Sequence, residues 1–243
     1  MKKKVAIITG ASGAIGRSLS IELSQQNVNL IMIYNKDKKN ILSTLKEMKS
    51  GNHSIFQCDL EDPKKIVKLF KNIIKRYKTI NILINNAAFT FLIEPQKLMN
   101  YNNYKKFNKL FSINFLAPVY LTNHFLKYCD KKPQNNNVIN ILSNSIKTLN
   151  ASNGIYIAMK SALKSFTEYC ALHYSKKAKF NAVAPGLILS KNTKNFYHKR
   201  IKELKKKNSN AFSLQPSDVS RVVIDKILNK KINGKCIFIS NVK

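Results

Sequence analysis

Acidic side chains are scarce here: 12 Asp and Glu stand against 43 Lys and Arg in 243 residues, a formal net charge of +31. Long apolar runs are missing as well. None approaches the roughly 18 residues that would span a bilayer, so no membrane segment is expected. The opening Met1-Lys2-Lys3-Lys4-Val5-Ala6-Ile7-Ile8-Thr9 has a basic head. Its apolar part is too short for a signal peptide and runs into Gly10, so it reads as a strand. With no targeting segment, the expected compartment is the cytoplasm. Cysteine is sparse: Cys58, Cys129, Cys170 and Cys236 are widely spaced with no C-x-x-C. That excludes a disulfide framework and points to reduced, buried thiols. His53, His124, His173 and His198 show no ligand spacing, so no metal is implied. Linkers, internal repeats and composition breaks are lacking too, and one domain over residues 1–243 is expected.

A positive charge this large would attract nucleic acid or an anionic membrane without specificity. Arginine, the better fork for phosphate, occurs only at Arg17, Arg76, Arg200 and Arg221. The lysines are spread through nearly every segment beside abundant asparagine and isoleucine, the trio that AT-rich coding produces. The charge is therefore read as genome bias, with neither nucleic acid nor membrane expected as a partner.

Short apolar runs alternate with helical patterns. Lys4–Thr9, Val28–Tyr34, Ser54–Cys58, Ile80–Ile84, Val138–Leu142, Lys179–Val183 and Cys236–Ser240 read as strands. Ile15–Gln26, Ile41–Met48, a stretch opened by Asp62-Pro63, Tyr101–Cys129 and Ile155–Tyr174 read as helical. Such alternation means β-α-β units and a parallel sheet covered on both faces: a doubly wound, Rossmann-like α/β fold of seven strands. Leu187–Gln215 is unlike the rest, polar and carrying Lys205-Lys206-Lys207, and reads either as a disordered stretch or as a partly helical substrate lid.

The first βα turn, Thr9-Gly10-Ala11-Ser12-Gly13-Ala14-Ile15-Gly16, suits a dinucleotide pyrophosphate. Small residues let the backbone approach the phosphates, and the helix N-terminus supplies free N–H groups. At the end of the second strand a cofactor with a free 2′-hydroxyl usually meets a carboxylate. Tyr34-Asn35-Lys36 offers none, and Lys36 can face a 2′-phosphate, which favours NADP(H) over NAD(H). Tyr156 and Lys160 are four apart, neighbours on a helix face. An ammonium within about 4–6 Å can lower a phenol's pKa and ready it for proton transfer. Alone, such a pair is more often a solvated lysine beside a half-buried tyrosine.

With Asn85-Asn86-Ala87-Ala88 after the fourth strand, Asn114, and Ser143 thirteen residues before Tyr156, the pattern resembles the short-chain dehydrogenase/reductase family from about Val5 to Ile239. The resemblance implies an NADP(H)-dependent oxidoreductase acting on a carbonyl or hydroxyl carbon. Tyr156 would exchange the proton with the substrate oxygen, while Lys160 would lower its pKa and hold the nicotinamide ribose. Ser143 would hydrogen-bond the carbonyl, in competition with Ser145, and Asn114 would hold a water linking Lys160 to solvent. The cofactor would lie along Gly10, Ser12, Gly13, Ile15 and Gly16, then Asn35, Lys36, Asp59 and Leu60 toward adenine. Asn86, Ala87 and Ala88 would line the groove, with Pro185, Gly186, Ile188 and Ser190 near the nicotinamide.

Three departures from the family pattern stand out. Ala14 replaces the second glycine of the turn, Ala88 replaces a glycine after the fourth strand, and Gly234–Lys243 lacks the paired glycines that often follow the last strand. Those glycines lie near a subunit interface in many relatives, so their absence weakens the expectation of the family's usual tetramer; a homo-oligomer, dimer or tetramer, is still what the resemblance implies. The substrate is a small-molecule or carrier-linked carbonyl. One reading is a 3-oxoacyl-acyl-carrier-protein reductase, with Lys127, Lys131, Lys132, Lys176 and Lys177 docking the acidic carrier. Another is a pteridine or dihydropterin reductase. A third, of a different class, is a non-catalytic relative that binds a dinucleotide or nucleic acid. Thr90–Phe107 and the lid would decide the substrate.

Overall fold

The computed structural model describes residues 3–91, 93, 103–149, 154–190 and 193–242. Seven parallel strands form one sheet in the order β3-β2-β1-β4-β5-β6-β7. They are β1 (Val5–Thr9), β2 (Asn29–Tyr34), β3 (Ser54–Gln57), β4 (Ile82–Asn85), β5 (Asn137–Ile141), β6 (Lys179–Pro185) and β7 (Cys236–Ile239). The helices between them are α1 (Ala14–Gln25), α2 (Lys38–Glu47), α3 (Pro63–Arg76), α4 (Tyr104–Phe111), α5 (Ala117–Tyr128), α6 (Ser145–Thr148), α7 (Gly154–His173), α8 (Lys194–Lys207) and α9 (Pro216–Arg221).

β1 shows why the central strands lack polar alternation: all five of its residues are buried. Ala6 and Ile8 face a core made with Leu19 and Leu23 of α1, Ile41 of α2 and Val219 of α9. Val5 and Ile7 face the opposite core, made with α3, α5 and the far end of α7. Two buried faces leave no place for a charge. In α3, Ile66, Leu69, Phe70 and Ile73 are buried at helical spacing, each contributing roughly 1.5–3 kcal/mol. Asp62 caps that helix by accepting from Lys64 N at 2.8 Å, and Pro63 occupies its first turn.

Several expectations shift. Strand β4 begins at Ile82, because Ile80 bridges to Cys129 instead. The burial expected for all four cysteines holds for Cys58 and Cys170; Cys129 and Cys236 are only partly covered. The Tyr101–Cys129 helix is not uniform, for Ser112–Leu116 between α4 and α5 is a π-helical turn. A second π stretch, Val222–Leu228, follows α9. Residues 92 and 94–102 of the substrate-determining stretch lie outside the described residues, as do 191 and 192 of the Leu187–Gln215 segment.

From β1, connections run outward through β2 and β3 on one side and through β4 to β7 on the other. The crevice at the carboxyl ends of β1 and β4 is therefore the switch point where such sheets bind ligands.

Candidate active site

The β1–α1 turn is built to approach something closely. Gly10 has φ +63°, the left-handed region, and a Cβ there would sit 2.9 Å from Ala87 Cα. The turn is thus packed against the one that follows β4. Asn86 fastens the two, its Nδ2 donating to Thr9 O at 2.9 Å and to Gly10 O at 3.1 Å. Thr9 Oγ1 accepts from Asn86 N and Ala87 N, each at 3.0 Å. α1 starts from Gly13 with no side-chain cap. Its first N–H groups and its dipole point into the crevice, a ready seat for an anion.

A cleft of about 1340 Å³ opens above this turn. Gly10, Ser12, Gly13 and Ile15 line it, followed by Asn35, Lys36 and Leu60 at one end. Asn86, Ala87 and Ala88 form its middle, and Ser143, Tyr156, Lys160, Pro185, Gly186, Ile188 and Ser190 its other end. Three expected residues are not on its wall: Gly16, Asp59 and Asn114. Gly16 is buried in the first turn of α1. Asp59 spends its carboxylate on Glu61 N at 3.2 Å and lies 3.9 Å from Lys65 Nζ. Asn114, fully buried in the π turn, clasps one residue with both ends of its amide. Its Nδ2 donates to Phe89 O at 2.7 Å and its Oδ1 accepts from Phe89 N at 3.1 Å. In this fold Asn114 positions the chain after β4, and its side chain lends no geometric support to the expected water relay.

Helix α7 brings Tyr156 and Lys160 to the cleft, but not as surface neighbours. Lys160 is 2 % exposed, and its Nζ donates to Ile141 O at the end of β5 at 2.7 Å. It lies 5.8 Å from the Tyr156 ring centre. Burial lowers its pKa from 10.5 to about 8. The tyrosine moves the opposite way from the sequence expectation. Burial pushes its phenol up to about 12, only partly offset by a hydrogen bond with Ser143. The loss of water around the half-buried ring outweighs any help from an ammonium that is turned toward a main-chain carbonyl. Ser143 Oγ also accepts from Ser145 Oγ at 2.8 Å, so the two competing serines form one chain with Ser143 next to Tyr156.

Several residues of the site escaped the sequence reading. A buried ladder sets α7 on the sheet: Asn85 Nδ2 donates to Asn140 Oδ1 at 2.8 Å, and Asn140 Nδ2 to Thr167 Oγ1 at 2.8 Å. Polar residues inside the apolar strands β4 and β5 were the available signal. Arg17, paired with Glu47, joins Asn40 and Ser43 on the wall beside Lys36. Asp37 is also there, its carboxylate taken by Asn40 N and Nδ2 at the start of α2. Thr193 Oγ1 accepts from Ser190 N and donates to Ile188 O, each at 2.8 Å. Cys58 reaches the wall as well, but burial and Asp59 push its thiol up to about 11, which makes it a poor nucleophile. None of the five lysines expected to dock a carrier borders the cleft. Lys127 closes α5, and Lys176 and Lys177 precede β6, at the opposite ends of the strands.

A parallel Rossmann-like sheet, an uncapped glycine turn at its switch point and a Ser–Tyr–Lys group in the same cleft define a nucleotide-dependent oxidoreductase scaffold. The chain belongs to the short-chain dehydrogenase family, whose sequence model matches residues 4–201. It is 30% identical over 192 residues to a benzil reductase ((S)-benzoin forming) of Bacillus cereus, covering 76% of each chain. It is 29% identical over 196 residues to a 3-oxoacyl-acyl-carrier-protein reductase of Buchnera aphidicola, covering 80% of this chain and 78% of the relative. The fold superposes with a TM-score of 0.86 on a short-chain dehydrogenase/reductase from Brucella melitensis, at 19% identity and over 98% and 95% of the two chains. The protein is thus an NAD(P)-dependent oxidoreductase of the CH–OH/C=O class.

Proposed function

We propose that this enzyme is an NADPH-dependent carbonyl reductase in which Tyr156 gives the proton, Ser143 holds the carbonyl oxygen and Lys160 orients the cofactor's ribose. The observation that carries this reading is the shared wall: the glycine turn, Ser143, Tyr156 and Lys160 all border one cleft. Backbone N–H groups at the start of α1 suit the pyrophosphate. When bound, the cofactor supplies the hydride. A phenol with a pKa near 12 stays neutral at physiological pH, so it is ready to protonate an alkoxide as that charge develops. Preference for the 2′-phosphate is supported by Lys36 and Arg17 on the adenosine-end wall, and by the engagement of Asp37 with Asn40.

For the substrate we favour a 3-oxoacyl thioester, on the strength of the acyl-carrier-protein reductase relative. The five distal lysines do not contribute to that choice. A flat ring, such as a dihydropterin or an aromatic ketone, is the second reading, and an observation of its own favours it. Phe89 and Thr90 line the cleft, and Phe89, Phe91 and Phe107 pack in series with centroids 6.0 Å apart. Leu187–Gln215 is the segment proposed to cover either substrate. An NADPH-oxidation screen over acetoacetyl thioesters, dihydropterins, aromatic diketones and simple sugars tests the reading. No oxidation with any of them, together with no NADPH binding, would remove it.

A further inference from the structure

Two residues beyond β7 lies a side chain that nothing in the site's chemistry has yet used. Asn241 is 6 % exposed and borders the cleft. Its Oδ1 accepts from Leu187 N at 2.6 Å, and its Nδ2 donates to Leu187 O at 2.8 Å and to Phe212 O at 3.1 Å. Its main-chain O accepts from Phe212 N at 2.8 Å. One buried amide therefore pairs with both backbone groups of Leu187 and ties them to Phe212, 25 residues further along the chain. The fit is specific. A Cβ on Gly186 would overlap Asn241 Oδ1 and come 3.1 Å from Ile239 O, so the turn after β6 leaves room for this amide.

That turn is joined to the reacting end of the cleft. Gly186 N donates to Ile239 O at 2.7 Å, and Asn144 N donates to Pro185 O at 2.8 Å. Asn144 follows Ser143. Hydrogen bonds at the turn's two ends, joined by the covalent backbone Pro185–Leu187, connect Asn241 to the loop that presents the serine. Asn241 lies in the stretch that lacks the paired glycines, and a glycine in its place would have no side chain to make any of these bonds.

We propose that Asn241 is a positioning residue: its amide holds the Pro185–Ile188 turn in register with the Ser143 loop and so sets the nicotinamide end of the cofactor groove. This rests on the reading of the cleft as an NADPH site. It predicts an effect confined to that end, since among the described residues the hydrogen bonds of Asn241 go to Leu187 and Phe212.

The test uses two probes on the full chain, NADPH and 2′,5′-ADP, the latter lacking the nicotinamide half. Asn241→Leu keeps the volume and removes the hydrogen bonds. Its Kd for NADPH is expected to rise about tenfold, with 2′,5′-ADP unchanged within about twofold. Equal weakening of both probes, or a lower Tm with both affinities intact, would overturn the proposal in favour of general structural support. If wild type binds neither probe, the cofactor reading itself fails, which is a different result. Should Asn241→Leu not fold, Asn241→Asp serves. Its carboxylate would face Leu187 O and Phe212 O, which have nothing to donate, and protonation would restore a donor. NADPH affinity relative to wild type should then recover as pH falls. A ratio that stays constant with pH would count against positioning by this amide.

Discussion

Lys160→Met separates what this lysine does for the fold from what it does for the reaction. The ammonium is buried and its pKa drops from 10.5 to about 8. The sign follows from linkage. A lysine whose folded pKa lies below its unfolded value destabilises the fold while charged. The cost is fully present below the folded pKa and is relieved as pH rises from about 8 toward 10.5. At pH 7 it amounts to about 3 kcal/mol, and by pH 10 to about 1 kcal/mol. Methionine removes this cost but deprives Ile141 O of the donor it has at 2.7 Å, a loss of about 1–3 kcal/mol. The variant is therefore expected to be as stable as wild type at pH 7, or up to about 2 kcal/mol more so. Its advantage should shrink by about 2 kcal/mol between pH 7 and pH 10. Urea denaturation of both proteins at the two pH values reads this directly, because the other lysines cancel in the difference. NADPH oxidation by the variant should meanwhile be lost. A variant that is much less stable at pH 7, or a stability difference independent of pH, would refute the account of Lys160 as a charge retained against the interest of the fold.

Other consequences can be checked with the same preparations. Tyr156→Phe should lower the reduction rate by about a thousandfold or more while leaving the NADPH Kd within about threefold, since only the proton donor is removed; retained turnover would mean that the proton comes from elsewhere. Wild type should bind NADPH more tightly than NADH, and Lys36→Glu should narrow or reverse the ratio in a fluorescence titration. Gly10→Ala, which forces a side chain into a left-handed turn 2.9 Å from Ala87 Cα, should abolish cofactor binding or cost about 1–3 kcal/mol in denaturation. Reduction should weaken as pH rises through about 8, where Lys160 loses its proton; a flat profile up to pH 10 would show that the ammonium is dispensable.

Most of the fold was legible because it is written in local terms. Runs such as Val5–Ile8 and Leu30–Ile33 have no polar face, and only a sheet covered on both sides hides them. The glycine turn, Ser143 and the Tyr156–Lys160 spacing were legible for the same reason: each is a short stretch read against a single element. What escaped depends on distant partners. Asn140 meets Thr167, Asn114 meets Phe89, and Asn241 meets Leu187 and Phe212 only after folding. No periodicity announces such pairs. The π turns were hidden too, because a single wide turn has no residue signature of its own and shows only in the hydrogen bonding of the folded helix.

The tyrosine shows how a correct position can carry the wrong electrostatics. On an isolated helix, a lysine four residues away would ease ionisation of the phenol. Folding changes both members. The Lys160 ammonium meets Ile141 O, and the phenol hydrogen-bonds Ser143. Removing water then penalises charge on each group, raising the phenol and lowering the amine. The two values move apart: the phenol becomes a donor that stays neutral, and the amine gives up its proton near pH 8. Within the proposed reductase, that arrangement suits an acid delivering one proton to a nascent alkoxide, with a buried amine behind it whose own protonation state is open to change. Spacing located the pair, and burial sets the protonation state in which each member rests.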